Sequence, residues 1–209
     1  MVIFMSNKIE HFYDNIQGWF DFEDLYKKIV KYAKNNSIFV EIGCWKGKSS
    51  AFMATEIANS NKSIEFYCVD TWEGSEEHLD ENNQAYEKNI NQPNWLYNCF
   101  IENMKPVESY YIAKRKSSIE ASKDFYDNSL DFVYIDASHE YEDVLNDLEA
   151  WYPKVKKCSS CGNQSGIFCG HDCHWPGVKK AIFEFSEKYN LVLKFGPREV
   201  SANSWMIYV

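Results

Sequence analysis

Short apolar runs alternate with amphipathic stretches along most of this chain, and that alternation constrains the fold more than any other feature. Residues 38–42, 64–69, 110–113, 131–135, 166–169, 191–195 and 204–208 read as strands. Residues 47–59, 119–125, 141–152 and 178–189 read as helices, the third with Val144, Leu145, Leu148 and Trp151 on one face. A further helix is expected over 8–34, where Phe22, Leu25, Ile29, Tyr32 and Ala33 recur at helical spacing. One or two more are expected over 76–104, broken at Pro93. Strands that alternate with helices predict an α/β fold, a parallel sheet covered on both faces.

Composition narrows the class. The chain has 209 residues, the length of one domain with insertions. Apolar residues are 45% and aromatics 17%, enough for a sizeable core, which excludes a disordered tail or a disulfide-stapled miniprotein. The net charge is −9 and there is no basic block, which argues against nucleic-acid or anionic-membrane partners. The N-terminal apolar run from Met1 to Met5 lacks a basic flank and is too short for a signal-peptide core. With no stretch approaching a membrane span, the expectation is a cytoplasmic protein whose seven cysteines are thiols or metal ligands.

In a parallel α/β sheet, ligands bind beyond the carboxyl ends of the strands. Residues 41–47, 70–72, 117–118, 136–141 and 171–174 occupy those places, and ionisable side chains gather there. The first of these loops, with Glu41, Gly43 and Gly47, admits three readings. A dinucleotide fingerprint fails because Trp45 and Lys48 stand where glycines are needed. A phosphate-binding loop comes close through Gly43, Gly47, Lys48 and Ser49 but is one residue short, with Asp136 as its acidic partner. The third reading is E-x-G-x-x-x-G, followed by Asp70 at the end of the next strand.

That third pattern resembles the first motif of class I S-adenosylmethionine-dependent methyltransferases. The resemblance extends through Val69 to Gly74, Asn103-Met104, Ser117 to Glu120 and Asp131 to Tyr141. These stretches look like the compact sugar O-methyltransferases of the macrocin and mycinamicin type, over roughly residues 36–208. The resemblance implies a Rossmann-like three-layer αβα sandwich with a mostly parallel seven-stranded sheet whose last strand is antiparallel. Residues 36–209 would be the methyltransferase domain and residues 1–35 a helical lid or extension. It maps S-adenosylmethionine contacts onto Glu41, Gly43, Trp45, Gly47, Ser49, Asp70, Trp72, Ser118 and Asp136. Glu41 would orient the loop or meet the ammonium group through water, and Asp70 would take both ribose hydroxyls.

Asp136-Ala-Ser-His139 follows one strand and His171-Asp172 the next, so their loops are neighbours in a parallel sheet. In the metal-dependent O-methyltransferases that the chain resembles, these positions bind Mg²⁺ and take the acceptor's proton. Carried over, Asp136, Asp172 and His171 would be metal ligands and His139 the general base, with Asp136 also counted as catalytic. The nitrogen of His171 suits a softer ion such as Mn²⁺, or a metal-independent reaction. The plainer alternative is that Asp136 caps the next helix and His139 sits solvated on its first turn.

Cys158 and Cys161 form a C-x-x-C pair, followed by Cys169, His171, Cys173 and His174. The pair sits in a loop insertion at about 158–165, and either holds a structural zinc or is a loop beside buried thiols. Trp45, Trp72, Trp95 and Trp175 either stack on a ligand at the site's mouth or pack in the core. The expected function is O-methylation of a small-molecule or glycan hydroxyl, by a chain that could form a homo-oligomer. The alternatives are a nucleotide-binding P-loop-like enzyme and a non-catalytic methyltransferase-fold binding module.

Overall fold

The computed structural model describes residues 8–75, 78–83, 86–157, 165–196 and 201–209. Among them, the apolar runs form a single sheet of seven strands. These are β1 (Ser37–Ile42), β2 (Ile64–Asp70), β3 (Ile112–Arg115), β4 (Phe132–Ile135), β5 (Ile167–Gly170), β6 (Val192–Phe195) and β7 (Trp205–Tyr208). Their spatial order is β3-β2-β1-β4-β5-β7-β6. β1 pairs in parallel with β2 and β4, β2 with β3, and β4 with β5. The last strand, β7, inserts antiparallel between β5 and β6. The sheet is therefore mixed: four pairings are parallel, and the last strand is antiparallel as expected.

Helices α1 (Glu23–Tyr32), α2 (Lys48–Ser60) and α3 (Trp95–Met104) cover one face, and α4 (Ser118–Ser122), α5 (Tyr141–Trp151) and α6 (Pro176–Lys188) cover the other. Alternation along the strands builds both cores. Phe39, Phe66, Phe132 and Tyr134 pack with the first three helices. Val40, Ile42, Val133, Ile135 and Phe168 pack with the last three. The strands read as continuous apolar runs because both faces are buried. The chain order reverses between β1 and β4, so the crevice at their carboxyl ends is where such a sheet binds ligands.

Two expected helices are shorter than the sequence suggests. The reading of 8–34 as one helix holds only for Glu23–Tyr32, and the residues whose periodicity supported it lie almost wholly there. Upstream come a 3-10 turn at Tyr13–Asn15 and an irregular arm through Gly18 at φ +144°. Aromatic packing of Phe20 and Phe22 onto Phe52, Tyr26 and Tyr134 overrides helix formation in this arm. Among the described residues of 76–104 only Trp95–Met104 is α-helical, begun by Asn94 in the left-handed region at φ +62°. No helix among the described residues is long and apolar enough to cross a membrane.

Candidate active site

The glycine loop leaves β1 and enters α2. Gly43 has φ +84°, and a Cβ there would lie 1.9 Å from the carbonyl oxygen of Asp136. The glycine is thus demanded by the approach of the β4 loop. Gly47, at φ +89°, turns the chain into α2 against Phe100. The N–H groups of Cys44 and Trp45 donate to Asp70 Oδ2 at 2.8 and 2.9 Å, and that of Trp72 donates to Oδ1 at 2.7 Å. Burial raises the Asp70 pKa, and these three donors oppose the rise. They take three of roughly four acceptor sites on a carboxylate, so Asp70 braces the loop first and has little left for two ribose hydroxyls.

Glu41 is buried at the root of the loop. It is 1% exposed, accepts from Tyr26 Oη at 2.8 Å and from the hydroxyl of Ser50, and burial raises its pKa. Of the two expected roles, the geometry matches orienting the loop's root. Ser49 is buried in the first turn of α2. Trp72 is core: its Nε1 donates to the Trp45 carbonyl at 2.9 Å, and its ring packs on Tyr97 and Phe100. Trp45 is held in the left-handed region at φ +44°, with its ring stacked with those of Trp19 and His78. Ser118 accepts from Trp151 Nε1 at 2.8 Å.

At the ends of β4 and β5 the expected acid–histidine group comes together. One ligand atom from each of Asp136, His171 and Asp172 lies within 4.8 Å of the others. His171 Nδ1 is 3.3 Å from Asp172 Oδ1 and 3.8 Å from Asp136 Oδ1. His139 Nε2 is 3.0 Å from Asp172 Oδ2, and its ring stacks on Trp175 at 4.4 Å and 9°. His139 is therefore not a solvated first-turn residue. Asp136 is not the cap of α5, whose N-cap position is Glu140.

The electrostatics follow from this crowding. Burial pushes the Asp136 carboxyl up; the His171 charge opposes it, and Asp172 adds to it. Burial also works upward on Asp172, but hydrogen bonds from His139 and His171 hold it well below the usual range. Burial works downward on His171, yet Asp172, Asp136 and Asp21 outweigh it and hold the imidazolium up to about 9.

Residues 40–161 match the family described as the Methyltransferase domain. The chain belongs to this family of S-adenosylmethionine-dependent methyltransferases. The match favours a methyltransferase over the P-loop-like enzyme as the class of this chain. An uncharacterized protein y4gI of Sinorhizobium fredii is 28% identical over 145 residues, 69% of this chain. The chain spans only 15% of that relative's length. Solved methyltransferase-fold structures are similar at low identity. The O-methyltransferase NovP has TM-score 0.59 and 15% identity, with 88% of this chain and 78% of that one covered. The precorrin-6y C5,15-methyltransferase of Geobacter metallireducens has TM-score 0.57 and 13% identity, with 93% of each chain covered.

Within this methyltransferase domain, sequence reasoning missed the residues that brace the loop from outside. Lys46, 6% exposed, donates to Gln17 Oε1 at 2.7 Å, pairs with Glu87, and lies 4.6 and 5.0 Å from the ring centroids of Trp45 and Trp95. Asp21 reaches His171 from the N-terminal arm. Their partners lie far away in sequence, so no local spacing marks them. Cys158 and Cys161 lie outside the described residues. Of the other expected zinc donors, Cys169 is buried in β5, and Cys173 donates to the Ala202 carbonyl. Among the described residues neither thiol joins a metal-sized cluster with His171 or His174. Cys44, Cys68 and Glu41 do cluster, but the Cys44 thiol is spent on the carbonyls of Glu41 and Val69.

Proposed function

We propose that this methyltransferase domain transfers a methyl group to a hydroxyl of a sugar or another small metabolite, with help from a divalent cation. The observation that carries this reading is the convergence of Asp136, His171 and Asp172 within 4.8 Å, with His139 hydrogen-bonded to Asp172. Two carboxylates and an imidazole at the carboxyl ends of β4 and β5 are a donor set for a divalent ion. The nitrogen among them favours Mn²⁺ over Mg²⁺. The neighbour NovP is an O-methyltransferase, which agrees with oxygen as the acceptor atom.

A bound divalent cation would lower the cost of deprotonating an acceptor hydroxyl. S-adenosylmethionine would supply the methyl carbon, whose bond to sulfur breaks as its bond to oxygen forms. The chain's own residues do the rest. Asp172 lies 3.0 Å from His139 Nε2 and orients the imidazole that takes the hydroxyl proton. The same carboxylate stabilises the imidazolium that results. Trp175 fixes the ring's plane by stacking. Gly43, Gly47 and Asp70 hold the loop that lines the donor's side of the crevice.

The test is calorimetric titration with S-adenosylhomocysteine, then a methyl-transfer screen over hydroxyl acceptors with and without Mn²⁺. Micromolar S-adenosylhomocysteine binding and cation-stimulated O-methylation are expected. Binding with transfer only to nitrogen or carbon acceptors, or transfer indifferent to chelation, overturns the corresponding half of the proposal.

A further inference from the structure

Asp21 stands in the irregular arm before α1, 150 positions from His171 in sequence, yet its Oδ1 lies 2.9 Å from His171 Nε2. We infer that Asp21 is a positioning residue for His171: it fixes which imidazole nitrogen is offered to a divalent cation between Asp136 and Asp172. The inference rests on the metal reading above and adds the N-terminal arm to that site.

A carboxylate at this distance can only accept, so Nε2 carries the hydrogen and Nδ1 is the atom turned towards Asp136 and Asp172. Asp21 is itself held. Ser201 Oγ donates to its Oδ1 at 2.9 Å and Asn203 Nδ2 to its Oδ2 at 3.0 Å, both from the segment preceding β7. Phe22, the next residue, is 1% exposed and packs on Tyr134 and on the His171 ring itself. The arm therefore cannot swing without opening the core. The arm and the segment before β7 thus meet at the Asp21 carboxylate, which in turn meets the imidazole carried by the β5 loop. That arrangement is the outer carboxylate of a carboxylate–histidine–metal unit, in which the acceptor sets the tautomer and the ring angle.

The test uses the full chain without methyl donor or acceptor. Free Mn²⁺ is followed by electron paramagnetic resonance in the wild type, Asp21→Asn and Asp21→Ala. At saturating Mn²⁺, electron spin-echo modulation then reads the nitrogen of a ligated imidazole. Wild type should bind Mn²⁺ with nitrogen modulation. Asp21→Ala should bind roughly 10–100-fold more weakly, with that modulation lost or halved. Asp21→Asn, which keeps one acceptor oxygen, should fall between. Wild-type affinity in Asp21→Ala overturns the inference, as does weaker binding with unchanged nitrogen modulation, because Asp21 would then act on general charge or folding. Mn²⁺ binding by the wild type without nitrogen modulation overturns it too, leaving the carboxylate site standing. Absence of Mn²⁺ binding by the wild type overturns the metal reading and this inference together. Thermal melting of each variant separates loss of fold from loss of the site.

Discussion

The carbonyl oxygen of Asp136 lies where a side chain on residue 43 would begin, 1.9 Å from the position of a Cβ. The glycine loop and the candidate catalytic acid are thus packed backbone to backbone, and neither can shift without the other. Gly43→Ala combines this clash with an unfavourable φ of +84°. It is expected to cost about 3 kcal/mol or more of stability and to weaken S-adenosylhomocysteine binding at least about tenfold. A denaturant melt and a calorimetric titration check both.

His139→Ala removes the proposed proton acceptor while leaving the glycine loop intact. The expected result is a fall in kcat/KM of about 10²–10⁴-fold, with S-adenosylhomocysteine affinity within about threefold of wild type. An active His139→Ala enzyme would show that the base lies elsewhere.

Asp147 gives a pH prediction away from the chemistry. It is 6% exposed on the inner face of α5, and burial raises its pKa to about 6, against a hydrogen bond with Ser118. Its folded value lies above the ordinary 3.8, so its contribution is fully present below about 3.8 and is lost as pH rises through about 6. Asp147→Asn should remove this slope and raise stability at pH 7 by about 1–3 kcal/mol. Chemical denaturation between pH 4 and 8 measures it, and parallel curves for wild type and variant would count against it.

Lys46 and Glu87 form a nearly buried ion pair, with side chains 8% and 12% exposed. Lys46→Met leaves Glu87 without its cation and should destabilise the fold by about 3–5 kcal/mol. Adding Glu87→Leu should recover much of that loss, because breaking one half of such a pair costs more than replacing both. A double-mutant cycle of denaturation midpoints gives the result.

Legibility followed range. The strands were visible because burial on both faces writes continuous apolar runs into sequence, and the ends of β4 and β5 pointed to Asp136, His139, His171 and Asp172. The glycine loop was legible as a motif, but Glu41 and Asp70 face inward to brace it, which a motif alone does not show. The arm over 16–22 was misread because a helical period found at Phe22 to Ala33 was carried back past Gly18. Lys46–Glu87 and Asp21–His171 join residues whose separation follows from topology, so no neighbouring residue announces them.

The antiparallel entry of β7 between β5 and β6 sets an order of assembly. β6 is made before β7 yet has no other strand partner among the described residues, so it waits for residues 205–208. Until they emerge, the backbone edge of β5, including the strand end that carries His171, stands open during synthesis. The end of the sheet that leads to His171 is therefore sealed only once β7 has been made.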